Sequence, residues 1–108
     1  MPTDPHGGAR AVVSRERLHA LCAGHFPDDP IVPGAYVAGL LAEVGALAAG
    51  RGARLVGIER CTFLEPLRPT EDAVVTAARG TPGPDGLGVA CEVSVRGRPV
   101  ARGLLRFT

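Results

Sequence analysis

The feature that most constrains this chain is the run Ala35 to Ala49, apolar or small at every position except Glu43. It follows a proline-rich segment, Gly24-His25-Phe26-Pro27-Asp28-Asp29-Pro30-Ile31-Val32-Pro33-Gly34. Pro33 stands where a helix can begin, because its missing N–H would be unpaired in the first turn, and Gly50-Arg51-Gly52 supplies a stop. The run is therefore predicted as one helix of about 15 residues, about 22 Å long. A helix apolar on all sides is a buried helix. Its small residues, Ala38, Gly39, Ala42, Gly45 and Ala46, let other backbones approach closely, so the expected arrangement is a helix gripped by a sheet.

The rest of the chain supplies that sheet. Residues 1–9 are proline, glycine and polar in character and are expected to be a disordered leader to a single domain over residues 10–108. Ala11-Val12-Val13 reads as a short strand, and Ser14 can cap a brief helix through Arg15 to Cys22. Pro27, Pro30 and Pro33 keep the segment before the long helix out of helix or central strand, leaving an ordered loop. After Gly52 the pattern changes to period two. Arg54 to Leu64 is predicted as a long strand, bulged at Gly57, and Pro66 and Pro69 end it. Asp72 to Arg79 is the next strand, Gly80 to Asp85-Gly86 a loop, and Gly88 to Val95 a half-buried strand. Arg96-Gly97-Arg98-Pro99 turns into a last strand, Val100 to Phe107. The expected fold class is α+β: one long central helix wrapped by a curled antiparallel sheet in meander order, with open edges that favour a dimer.

Composition excludes several functions. The chain has 108 residues, enough for one modest core. Its 12 arginines, with no lysine, balance 11 acidic residues, so there is no charge footprint for nucleic acid or an anionic membrane. No long uncharged apolar stretch or signal pattern occurs, and the expected location is the cytoplasm. Cys22, Cys61 and Cys91 are an odd number without ligand spacing; the expectation is buried thiols, no metal and no redox cofactor.

The segment Gly24-His25-Phe26-Pro27-x-x-Pro30-x-x-Pro33-Gly34 before a small-residue helix resembles the signature of the hot-dog fold β-hydroxyacyl-[acyl-carrier-protein] dehydratases of fatty-acid and polyketide synthesis. Phe63-Leu64-Glu65-Pro66-Leu67-Arg68-Pro69-Thr70-Glu71-Asp72 resembles that family's Phe-x-x-Pro-Val-x-Pro-Gly-Asp segment. The resemblance covers residues 11–107. It implies a hot-dog dimer with two interface sites, each fed by a tunnel for an acyl chain on the phosphopantetheine arm of acyl carrier protein. His25 falls on the catalytic histidine, and an imidazole near neutrality can accept the proton alpha to a thioester. Gly34 falls on the helix-start glycine whose N–H polarises the thioester carbonyl. The family's carboxylate, fourteen residues after the histidine, is replaced by Gly39. Glu43, four residues on and on the same face, is the candidate relocated acid, and an isolated carboxyl in an apolar helix is expected to hold its proton more tightly.

Alternatives stay open at several positions. Glu43 reads equally as a buried structural acid bonded to backbone or to an arginine such as Arg60. Asp28 and Asp29 read as turn formers. Tyr36 reads as tunnel lining or ordinary packing, alongside Pro33, Gly34 and Gly39 on the substrate side. Arg51, Arg54, Arg68 and Arg98 read as a carrier-protein patch or as solvated surface. His6 and His19 carry no motif. Three activities fit this reading. The first is a dehydratase of a 3-hydroxyacyl thioester with His25 as base. The second is an incomplete hot-dog subunit paired with a related chain that supplies the acid. The third is a thioesterase using Glu43, and double-bond isomerisation needs the same parts.

Overall fold

The computed structural model describes residues 8–22 and 29–108. Strand β1 (Ala9–Val13) alternates buried Ala9, Ala11 and Val13 with exposed Arg10 and Val12. It begins two residues before the expected strand. Helix α1 (Arg15–Cys22) starts at Ser14, whose Oγ accepts the Arg17 N–H at 3.2 Å and whose carbonyl accepts the Leu18 N–H at 3.0 Å. The cap thereby satisfies donors that the first turn leaves unpaired. Helix α2 (Gly34–Ala49) runs 16 residues, with Pro33 as its N-cap residue rather than its first helical one. Gly50 closes it at φ 109°, its N–H donating to Ala46 O at 3.1 Å.

Five further strands follow: β2 (Leu55–Phe63), β3 (Ala73–Ala77), β4 (Thr81–Gly83), β5 (Gly86–Val95) and β6 (Arg98–Phe107). Every pairing is antiparallel, in the order β1-β3-β5-β6-β2, with β4 beside β5. This corrects the expected meander. β2 does not pair with β3 but lies at the far edge against β6, because residues 64–72 carry Pro66 and Pro69 and form a crossing connection, not a tight turn. The stretch expected as pure loop holds β4, where Thr81 pairs with Gly88 and Gly83 with Gly86. Pro82 is tolerated there because β4 is short and marginal to the sheet. β2 is bulged at the expected place, between Leu55 and Gly57, and again between Ile58 and Arg60. Arg96 and Gly97, at φ 52° and 74°, make the two-residue turn between β5 and β6 whose twist matches the strands it joins.

α2 packs on the inner face of the sheet, over β3 and β5, where Leu41, Val75, Val89, Leu105 and Phe107 are essentially inaccessible. Gly45 brings it close: a Cβ there would stand 3.1 Å from Cys91 Sγ and 3.2 Å from the Phe107 ring. The helix is not buried on all sides. Tyr36 (51% exposed), Gly39, Glu43 and Leu47 form an exposed stripe at three- and four-residue spacing. A helix about 10 Å across covers two strands spaced about 4.8 Å apart, and this sheet is wider than that. The inner side of β2 is therefore left open, with Ile58 and Phe63 exposed although they sit opposite buried Leu105 and Ala101. Cys22 and Cys91 are buried and Cys61 is half-buried; all three are free thiols.

Candidate active site

The two motifs that stand far apart in sequence meet at the head of α2. The Val32 N–H donates to Leu67 O at 2.9 Å. Beside it, the Arg68 guanidinium grips the Asp29 carboxylate with two parallel bonds, Nε to Oδ1 at 3.0 Å and Nη2 to Oδ2 at 3.2 Å. That grip holds the Asp29 carboxyl below the ordinary carboxylate range and raises Arg68. Asp29 therefore does more than form a turn, and Arg68 is committed to it. Arg98 is likewise held, by Glu65 at 2.9 Å.

Between these two segments lies an apolar cavity of about 460 Å³, lined by Ile31, Val32, Gly34, Val37, Phe63 and Leu67 among others. Its floor is the N-terminus of α2. Tyr36 and Val37 donate their N–H groups to Pro33 O at 2.9 and 3.1 Å, whereas the N–H groups of Gly34 and Ala35 have no partner among the described residues. Unpaired donors at a helix start carry partial positive charge, suited to a carbonyl oxygen that is becoming an oxyanion. The Phe63 ring closes over Gly34, and a Cβ there would meet its Cζ at 3.3 Å. The Phe63 signal was present in its motif, but only the fold places the ring on the helix start.

The other candidates are placed differently. His25 lies outside the described residues. Pro33 orients the helix start with φ −56° and ψ 144°. Tyr36 and Gly39 do not line the cavity in this chain but stand on the exposed stripe. A Cβ at Gly39 meets nothing within 4 Å. Glu43 corrects the expectation of an isolated carboxyl in an apolar setting. It is 55% exposed and paired to Arg17 of α1, not Arg60, with Nη2 3.0 Å from Oε2. Nine residues of helix put Glu43 about 13 Å along the axis from Gly34, beyond the reach of a glutamate side chain within one subunit. Among the described residues no group of three or more His, Cys, Asp or Glu could hold a metal ion, and no helix is long and apolar enough to cross a membrane.

One long helix laid on the inner face of a six-stranded antiparallel sheet, with a loop-bounded cavity at its N-terminus, is the hot-dog fold. The ApeI-like family, described as ApeI dehydratase, matches residues 7–87, and the chain belongs to it. It is 40% identical over 78 residues to the 3-hydroxyacyl-[acyl-carrier-protein] dehydratase FabZ of Bacillus velezensis, covering 62% of this chain and 55% of that one. Against the FabZ of Halalkalibacterium halodurans it is 37% identical over 95 residues, covering 78% and 65%. The chain thus spans a little over half to just under two thirds of these relatives. Among solved structures, the dehydratase heterocomplex ApeI:P from Xenorhabdus doucetiae superposes with a TM-score of 0.71 at 19% identity, covering 98% of this chain and 91% of that one.

Proposed function

We propose that the chain dehydrates a 3-hydroxyacyl group carried as a thioester on acyl carrier protein. The observation that carries this reading is the joining of both motifs around one apolar cavity at the start of α2, with the Val32–Leu67 hydrogen bond as its seam. The acyl chain fills the cavity and the thioester carbonyl meets the N–H groups of Gly34 and Ala35, which have no partner among the described residues. The His25 imidazole takes the proton alpha to the carbonyl, the pair of electrons moves to the carbonyl oxygen as an enolate, and the helix N-terminus stabilises it. Collapse of the enolate expels the 3-hydroxyl, which leaves as water after receiving a proton, and the product is an enoyl thioester.

The proton for the hydroxyl comes from a second chain. Glu43 is too far along α2 to act in its own subunit, and the exposed stripe of α2 with the uncovered inner side of β2 offers the surface for a partner. Two copies joined edge to edge through β2 would bring each helix stripe against the other subunit. A second reading, in which a related chain bearing a carboxylate at the position of Gly39 completes the site, is favoured by the open space at Gly39 and the commitment of Glu43 to Arg17. The similar solved structure described as the dehydratase heterocomplex ApeI:P supports it.

Mass spectrometry of a 3-hydroxyacyl-carrier protein incubated with the protein tests both. Loss of one water, abolished by His25→Ala and by Glu43→Gln, supports the homodimer. Turnover gained only in Gly39→Glu supports the paired-chain reading. Release of free acid and thiol would replace both with a thioesterase.

A further inference from the structure

The face of the sheet turned away from α2 carries a groove of about 770 Å³ that the chemistry above does not use. Its floor is a register row crossing five strands: Arg10 opposite Thr76, Thr76 opposite Glu92, Glu92 opposite Arg102, and Arg102 opposite Thr62. Arg60 stands beside this row, opposite Leu104, and Ala78 and Ala90 keep the floor low. Arg102 is committed to Glu92, Nε to Oε1 at 3.0 Å. The Arg10 and Arg60 side chains, like those of Arg51, Arg54 and Arg79 outside the groove, make no ion pair or hydrogen bond among the described residues, whereas Arg15, Arg17, Arg68, Arg96, Arg98 and Arg106 all pair with carboxylates. The groove therefore holds uncompensated positive charge on a protein whose net charge is only +1.

Leu64 lines both this groove and the cavity at the head of α2. From Arg60 to Leu64 is four residues of extended chain, about 13 Å. A ligand seated in the groove has a short apolar route over the end of β2 into the cavity.

Resting on the dehydratase reading, we propose that an acidic acyl carrier protein docks on this outer face, through Arg10 and Arg60, and feeds its arm past Leu64 to the site. The span decides between a protein and a small anion. β1 and β2 are separated by four strand intervals, about 19 Å, so a single phosphate cannot engage both arginines, whereas carboxylates spread along a helix can. Of the arginines expected from sequence to meet the carrier, Arg68 and Arg98 contribute less, since they already hold Asp29 and Glu65.

The test compares the wild type, the reversal Arg10→Glu/Arg60→Glu, and the control reversal Arg79→Glu/Arg96→Glu, which carries the same charge change outside the groove. Each is assayed on a 3-hydroxyacyl-carrier protein, the same acyl group on N-acetylcysteamine and the same acyl group on coenzyme A. The groove reversal is expected to raise KM for the carrier substrate about tenfold or more and to remove its salt dependence, leaving both small thioesters unchanged. An unchanged carrier KM overturns the proposal, as does an equal rise in the control. A parallel loss on the small thioesters also overturns it, by placing the effect in the site or on a small anion. Fluorescence anisotropy of labelled carrier protein separates the two readings. If the wild type binds but does not dehydrate, and the groove reversal abolishes binding, docking stands and the dehydratase reading fails. If the wild type does not bind the carrier, docking fails.

Discussion

Gly45→Ala sets two opposed effects of known size against each other. An alanine in the interior of α2 gains about 1 kcal/mol of helix propensity over glycine. The new methyl would sit 3.1 Å from Cys91 Sγ and 3.2 and 3.3 Å from two carbons of the Phe107 ring. Both partners are buried, at 4% and 1% exposure, so neither can swing into solvent and the helix must lift from the sheet. Overpacking of this kind costs about 1–3 kcal/mol. The expected net is a loss of about 1 kcal/mol, which lowers Tm by about 4–8 °C in a domain of this size. Urea unfolding followed by circular dichroism measures it. Trimming the obstacle should restore part of the loss, so Gly45→Ala in a Cys91→Ala background is expected to show a favourable coupling of about 0.5 kcal/mol or more. Stabilisation by about 1 kcal/mol, the behaviour of an exposed helix glycine, would refute the close packing of α2 on β5 and β6.

Gly34→Ala is expected to leave Tm within a few degrees yet cut the rate of water loss about tenfold, since the half-exposed Phe63 ring can move aside only by intruding on the cavity; full activity would contradict that placement. The Asp29–Arg68 clamp stabilises the fold above the ordinary carboxylate range and loses its contribution as pH falls through the lowered Asp29 value. Wild type and Asp29→Asn should therefore converge in stability at the acid end of a titration carried below the ordinary carboxylate range. Burial pushes the Cys91 thiol from 9.0 up to about 11, so the folded protein holds that proton more tightly than the unfolded chain. Stability present below pH 9 is expected to fall between pH 9 and 11, a step that Cys91→Ala lacks. Alkylation at neutral pH should spare Cys91 until the chain unfolds.

The elements of this fold were legible because each is written locally. The alternation in Gly88 to Val95, the capping serine at 14 and the proline and glycine punctuation each specify a short stretch without reference to the rest. Strand order was not legible, because β2 could satisfy its hydrogen bonds against β3 or β6 equally well. What decides is the crossing connection at residues 64–72, a long-range geometric choice. The exposed stripe of α2 is illegible for a related reason: apolar composition says that a surface will be covered, but not that its own chain covers it. At the site, the motifs pointed to the Gly34 helix start, and the cavity lies there. The grips of Arg68 on Asp29 and Arg17 on Glu43 join exposed charges remote in sequence, and no local pattern announces such pairs.

The position of β2 also governs how the chain reaches its fold. Leu55 pairs with Phe107, so the edge strand has no hydrogen-bonding neighbour until residues 98–107 have left the ribosome. β1, β3 and β5 can assemble with α2 before then. β2, with Leu55, Val56, Ile58 and Phe63, must wait as an apolar segment able to pair with any stray strand. Closure by such distant contacts is slow. The charges set among those apolar residues, Glu59 and Arg60, act as gatekeepers during the wait, and Glu59 is taken up by Arg106 once β6 arrives.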